Sequence, residues 1–366
     1  MRAWVTAGII LALLLAGGLW VAHFASVEPS LTPEETDWSA APLETPEVSS
    51  PVTEPRPPYE TFPEGEAAED SGKLFAGEPP ARLWERWHAL LYSDDLPQLP
   101  IVSAILAERL RESPDRAIYQ DIAGLLRQDG LTLEKKAALV DLLREIATAE
   151  ALTLLLETAR NASGSPLYIA VLQGIARIGD NRWDGRFHEE LSPLLEAAWS
   201  NKGIEDRAFF SAVVQAAAKV GAPSGVDLLL NTVASKTLDT THQRQAIAFS
   251  AIQKVRNPDA VSVLADWFRQ YSMGEAAFEA SGMALARVGS PAATQVLLDW
   301  AQGAPAEASS RVRTWFKGIH DTASVQLLRA SLASKDFKSS EVREVVTDII
   351  GEISPQDEAA SDALPP

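Results

Sequence analysis

The chain of 366 residues has no cysteine at all. That absence excludes disulfides, thiol nucleophiles and every zinc or iron–sulfur site built on thiolates. It leaves the redox compartment open, because exported bacterial proteins also do without disulfides. Histidine is scarce as well. The five (His23, His88, His188, His242, His320) lie too far apart for a helical His-x-x-x-His metal pair. No G-x-S-x-G elbow and no S-x-x-K pair is present. "EDSGKLF" holds Gly72-Lys73, yet Ala67 stands where a phosphate loop needs its first glycine, and Leu74 replaces the Ser/Thr. Carboxylates are plentiful but scattered at helix-surface spacings. No catalytic, cofactor-binding or metal-ligating residue is therefore assigned, no cofactor is expected, and the chain is expected not to be an enzyme.

Positive charge is missing from the N-terminal region. Arg2 is followed by no Lys or Arg until Arg56. Residues 3–25, "AWVTAGIILALLLAGGLWVAHFA", carry no formal charge. A helix of that length is roughly 34 Å long, enough for a hydrocarbon core of about 30 Å. Trp4 and Trp20 fall near its ends, where indoles favour the headgroup boundary. The segment 1–26 is read as a transmembrane signal anchor. A cleaved signal peptide competes, but its apolar run is normally about 7–15 residues, and Trp20 and His23 spoil the small-x-small sites at Ala22 and Ala25. With Arg2 before the span, the N-terminus is expected in the cytoplasm and the rest outside it.

The net charge of −18 is concentrated in one segment. Residues 27–80 hold thirteen acids against Arg56 and Lys73, together with eleven of the chain's 23 prolines. Such a composition cannot bury enough apolar surface to offset its ordering entropy, and it reads as a disordered stalk. Beyond it the sequence becomes aliphatic, alanine-rich and helical in period.

One phrase then recurs. "IATAEALTLLLETA" begins at Ile146, "VGAPSGVDLLLNTV" at Val220, "VRNPDAVSVLADWF" at Val255, "VGSPAATQVLLDWA" at Val288 and "IHDTASVQLLRASL" at Ile319. A diverged copy starts at Ile178 with about eight extra residues, and a final half starts at Ile350. Each unit parses as two helices. The first ends at the Val/Ile anchor, preceded by Arg177, Lys219, Lys254 or Arg287, where a cation complements the C-terminal dipole. Gly179, Gly221, Gly289 and Gly351 follow as expected left-handed stops. Pro223, Pro258 and Pro291 open the second helix, where a missing N–H costs nothing. One apolar face on a hairpin cannot fold alone, so stacked copies must bury it against each other.

The period, the hairpin units and the "A-R-V-G-x-P-x-A…L-L" junction resemble HEAT-like repeats of the short bacterial type, over about 134–354. Tetratricopeptide units share the period but not their Trp/Gly/Tyr pattern. The resemblance implies an all-α fold, a right-handed α-solenoid of two-helix repeats, preceded here by the transmembrane helix and the disordered linker. Residues 81–133 are read as a helical cap or degenerate units, and 355–366 as a disordered acidic tail. Such arrays mostly bind other proteins, so the expected role is a membrane-tethered interaction scaffold of the cell envelope.

Two features invite a site. Residues 311–343 carry Arg311, Arg313, Lys317, Arg329, Lys335, Lys338 and Arg343 against Asp321, Asp336 and Glu341. Arg311, Arg313, Lys317, Lys335 and Lys338 are the candidate partner-binding residues, suited to an acidic protein; nucleic acid is disfavoured by the surrounding acidic charge and the inferred topology. The insertion at 180–193 groups Asp180, Asp184, His188 and Glu189 beside Trp183 and Phe187, and supports an alternative: an enzyme, or an enzyme's accessory subunit, with a cleft there. Trp267 and Trp300 occupy one repeat position, with Trp199 within a residue of it. They read as packing between units, with a recognition strip as the alternative.

Overall fold

A computed structural model describes residues 77–361, apart from 94–97, 181, 183–184, 201–205, 236–240, 320 and 335; 241–242 and 354–361 are described by backbone alone. The expected span at 3–25 and nearly all of the stalk lie outside the described residues. Among those described, no helix is long and apolar enough to cross a membrane.

The described residues form sixteen α-helices and no β-strand. In chain order these are α1 (Pro80–Tyr92), α2 (Leu99–Glu112), α3 (Arg116–Arg127), α4 (Leu133–Ile146), α5 (Ala149–Asn161) and α6 (Pro166–Arg177). Then come α7 (Ser192–Ser200), α8 (Arg207–Val220), α9 (Pro223–Ala234), α10 (Thr241–Ile252) and α11 (Val261–Gln270). The last are α12 (Ala276–Val288), α13 (Pro291–Gly303), α14 (Ser309–Phe316), α15 (Thr322–Ser334) and α16 (Ser340–Ser361).

Even-numbered helices pack on even-numbered ones, from α2 to α16, and odd on odd, from α3 to α15. The result is two parallel rows of helices, a repeated packing compatible with the expected solenoid. The row begins before residue 134, since α2 packs on α4 and α3 on α5. Burial explains why. Helix α8 is covered on two faces: Phe209, Val213 and Ala216 belong to the core of the preceding helices, while Phe210, Val214 and Ala218 belong to the core that follows. Each unit thus shields its neighbours' apolar surface.

Local signals act as the residue types require. Pro166, Pro223 and Pro291 are first helical residues, and Pro258 opens a 3₁₀ turn leading into α11. Thr132, Thr148, Asp206 and Ser290 cap α4, α5, α8 and α13 by accepting backbone N–H bonds. Gly221 (φ 64°) and Gly289 (φ 62°) are the expected left-handed stops.

Two of the four expected stops behave otherwise. Gly179 is not left-handed; its backbone lies against the next unit, and a Cβ there would sit 2.8 Å from Cβ of Lys219. Gly351 lies inside α16, which runs on to Ser361, past the boundary expected at 354. Val342, Val346 and Ile349 bury the first half of that helix. Pro355 falls inside this helix and removes the bond to the Gly351 carbonyl, while Gln356, Glu358 and the alanines after them are good helix formers on its far side. At the first junction the left-handed position is taken by Ala147 (φ 52°), a strained choice for a residue with a Cβ.

The tryptophans pack. Trp300 meets Phe278 at 5.4 Å and Trp315 at 5.2 Å between ring centroids, with Phe268 completing the cluster. Trp267 stacks on Tyr271 and donates its indole N–H to Asp227 of α9 at 2.7 Å. Trp199 sits edge-on to Phe210.

Candidate functional site: the repeat junctions and the basic segment

At three successive junctions the glycine after the helix touches the junction of the following unit. Gly179 abuts Lys219 and Val220, Gly221 abuts Asn257, and the Gly289 carbonyl accepts from Ser324 Oγ at 3.3 Å. The residue just before each anchor therefore recurs along one edge of the rows: Glu145, Arg177, Lys219, Lys254, Arg287 and Gly318. Four consecutive units place a cation there.

The insertion after Ile178 crosses this edge. Glu189 Oε1 accepts from Asn257 Nδ2 at 2.7 Å, tying the insertion to a junction two units further on. Asn257 is buried, and its Oδ1 accepts from Asp259 N at 3.0 Å, so the strut is held from both sides. Arg182 of the insertion lies over the Phe187 ring, 4.2 Å from its centroid. Between insertion and junctions runs a groove of about 230 Å³ lined by Gly179, Asp180, Arg182, Lys219, Lys254 and Arg256.

Its electrostatics are one-sided. Asp180 is committed: Lys219 Nζ lies 2.6 Å from Oδ1 and Arg177 Nε 3.7 Å from Oδ2. Lys254 donates to Gln215 Oε1 at 2.6 Å, and Arg256 to the carbonyls of Gln253 and Val255. Among the described residues neither Lys254, Arg256 nor Arg287 is held in an ion pair. Burial holds the Lys254 ammonium below the ordinary lysine value, and repulsion from Lys219 adds to this, with Asp180 opposing. Burial likewise lowers Arg256, followed by repulsion from Arg287 and Arg182. Crowded like charges in a partly dehydrated groove favour whatever supplies negative charge.

The insertion's acidic group is dispersed rather than assembled. Asp180 faces the cations, Glu189 faces Asn257, and the buried His188 places Nδ1 3.3 Å from Glu190 Oε1. Asp184 and Trp183 lie outside the described residues. Among the described residues no three His, Asp or Glu side chains come close enough to hold a metal ion. The groove lies beside this insertion, and four of its six lining residues are cations.

The basic segment 311–343 is divided. Arg311 Nε contacts Glu279 Oε1 of α12 at 2.7 Å. Arg313 reaches Asp348 Oδ2 at 2.7 Å and Glu352 at 3.7 Å on α16. Both arginines thus link successive even-numbered helices. Exposed Lys317 follows α14 at the junction edge, whereas the Lys338 N–H donates to the Gln302 carbonyl at the opposite end of the helices. Eight residues of α14, about 12 Å of helix, separate the two ends. Lys335 lies outside the described residues. The sequence offered Arg177, Lys219, Lys254 and Arg287 only as dipole partners; their common position in the repeat was the signal that they form one row.

No family model matches the chain, and no curated protein matches it. Among solved structures it is similar to human deoxyhypusine hydroxylase in complex with glycerol, at 14% identity and a TM-score of 0.27, over 78% of this chain and 99% of that one. That structure is of a hydroxylase, which runs against the expectation that the chain is not an enzyme, and that expectation is withdrawn with no activity assigned in its place. A likeness this low carries neither fold nor activity across.

Proposed function

We propose that the chain is a membrane-tethered interaction scaffold of the cell envelope, a right-handed HEAT-like solenoid whose repeated edge receives other proteins. The reading rests on one observation: even-numbered helices pack on one another in succession and their ends touch at three junctions, an arrangement that would give an extended partner several similar contacts. The uncharged segment 3–25 supplies the anchor in this reading, and the proline-rich acidic segment after it keeps the array within reach of the membrane, where tethering raises the effective concentration of partners. Arg311 and Arg313 serve such a scaffold by locking α12, α14 and α16 together. Lys317 and Lys338, both exposed, take no part in that link.

Crosslinking of the full chain in intact cells, followed by identification of what is attached, tests this. Discrete, reproducible partners are expected. Recovery of nothing reproducible would end the scaffold reading.

A further inference from the structure

The groove between the insertion and the junction row has a shape and a charge that together specify a ligand. Four cations and one already committed carboxylate line it. Arg287 continues the row one unit further, while Glu145 begins it with the opposite sign and Gly318 ends it with no charge. The row is thus bounded at both ends in a chain whose net charge is −18.

We propose that this row is the docking site for an extended acidic peptide segment of a partner protein, with carboxylates at every third residue. Packed helices lie about 8–10 Å apart, so cations repeated once per unit recur at that interval. A peptide extended as polyproline II advances about 3.1 Å per residue and completes a turn in three, so every third side chain falls on one face at intervals of roughly 9 Å. The carboxylate at every third residue then meets a cation at each step: Lys219, which also holds Asp180, then Lys254 with Arg256, and then Arg287. The strut from Glu189 to Asn257 fixes the wall along which the peptide lies. Single-stranded nucleic acid is the lesser fit, because its binding grooves stack bases on aromatic side chains and the lining residues here include none. Burial first and repulsion from neighbouring cations second hold Lys254 and Arg256 below their ordinary values, and bound carboxylates offset the second of these.

This inference rests on the scaffold reading for its biological sense, but the two fail separately. Three fluorescein-labelled probes are offered to the purified full-length chain and followed by fluorescence polarisation. They are a twelve-residue peptide of Gly and Ser with Glu at every third position, an isomer with its glutamates contiguous, and a twelve-residue oligothymidylate. The spaced peptide is expected to bind at least fivefold tighter than either other probe, and more weakly as salt rises. Lys254→Gln together with Arg287→Gln is expected to weaken it at least tenfold. Lys254→Arg with Arg287→Lys retains the charges and is expected to retain binding, which covers the case where the glutamine variant folds poorly. Arg313→Gln serves as the control and leaves binding unaltered.

No binding of the spaced peptide, equal binding of the contiguous isomer, tighter binding of the oligothymidylate, loss with Arg313→Gln alone, or indifference to the Lys254 and Arg287 glutamine variants would each overturn the proposal. Partners captured in cells while the spaced peptide fails would sink this inference and leave the scaffold standing. The reverse pattern would do the opposite.

Discussion

Replacing Gly221 by alanine tests whether the repeat junctions are held by contact between units. Gly221 has φ 64°, and an added Cβ would stand 2.8 Å from Asn257 Cβ, well inside the optimal carbon–carbon separation of about 3.5–4.0 Å. Asn257 cannot retreat, because it is 1% exposed and bonded both to Glu189 and to the Asp259 N–H. Gly289 offers the matched control. Its φ of 62° is nearly the same, but the nearest atom to an added Cβ is the Ala286 carbonyl oxygen at 3.7 Å, an ordinary contact. Left-handed backbone costs an L-residue about 1–2 kcal/mol, partly offset by the lower unfolded-state entropy of alanine, so Gly289→Ala is expected to cost about 1 kcal/mol. Gly221→Ala carries the same strain plus an overpacking cost of about 1–3 kcal/mol, for a total of about 2–4 kcal/mol. Urea unfolding of both variants, followed by far-UV circular dichroism, reads the difference. Equal costs at the two positions, or a cost at Gly221 below about 1 kcal/mol, would refute the stacking of junction on junction.

Two further outcomes follow from single groups. Burial raises the Glu145 carboxyl above its ordinary value, with Arg144 and Arg111 opposing and Asp141 adding to the rise. A raised carboxyl pKa favours folding while the group stays protonated, below its unfolded value near 4.5, and that contribution is lost as pH rises through the folded value. Glu145→Gln is therefore expected to stabilise the chain at pH 7 and to leave it unchanged at pH 4; a gain of equal size at both, seen in thermal melts, would contradict it. Asp206 caps α8 through the Ala208 and Phe209 N–H groups and also accepts from the Tyr168 hydroxyl of α6. Asp206→Ala is expected to cost about 1–2 kcal/mol and Asp206→Asn, which can still accept at the cap, most of a unit less by urea unfolding.

The all-helical character and the pairing were legible because they rest on local chemistry. Pro223 and Pro291 fix helix starts, Gly221 and Gly289 fix stops, and Val/Ile anchors spaced 31–35 residues apart, 42 across the insertion, fix the unit. These signals act within a few residues and need no partner. Gly179 shows where such reading stops. Its place after Ile178 matches the other stops, yet what excludes a side chain there is the Cβ of Lys219, forty residues later, with the Val220 N behind it. The same holds for the basic segment. Arg311, Arg313 and Lys338 are close in sequence, but helix direction sends Lys338 to the end opposite Lys317, and the arginines are taken up by Glu279, Asp348 and Glu352.

Charge in a stacked array is organised by repeat position and not by neighbourhood along the chain. A window over 311–343 finds seven cations within 33 residues and suggests one basic surface. Lys219, Lys254 and Arg287 are 33 to 35 residues apart, invisible to any such window, and yet adjacent units bring them into one row. The residues before the anchors also have a local purpose, since a cation at a helix C-terminus offsets its dipole by about 0.3–1 kcal/mol. That purpose is met by each cation alone, and it does not account for Arg182, which the insertion carries to the same groove, nor for Arg256 beyond its anchor. Two cations brought to the row from outside the helix ends, against burial and the added repulsion of Arg287 and Arg182 that lower Arg256, mean that the concentration of positive charge exceeds what helix capping requires.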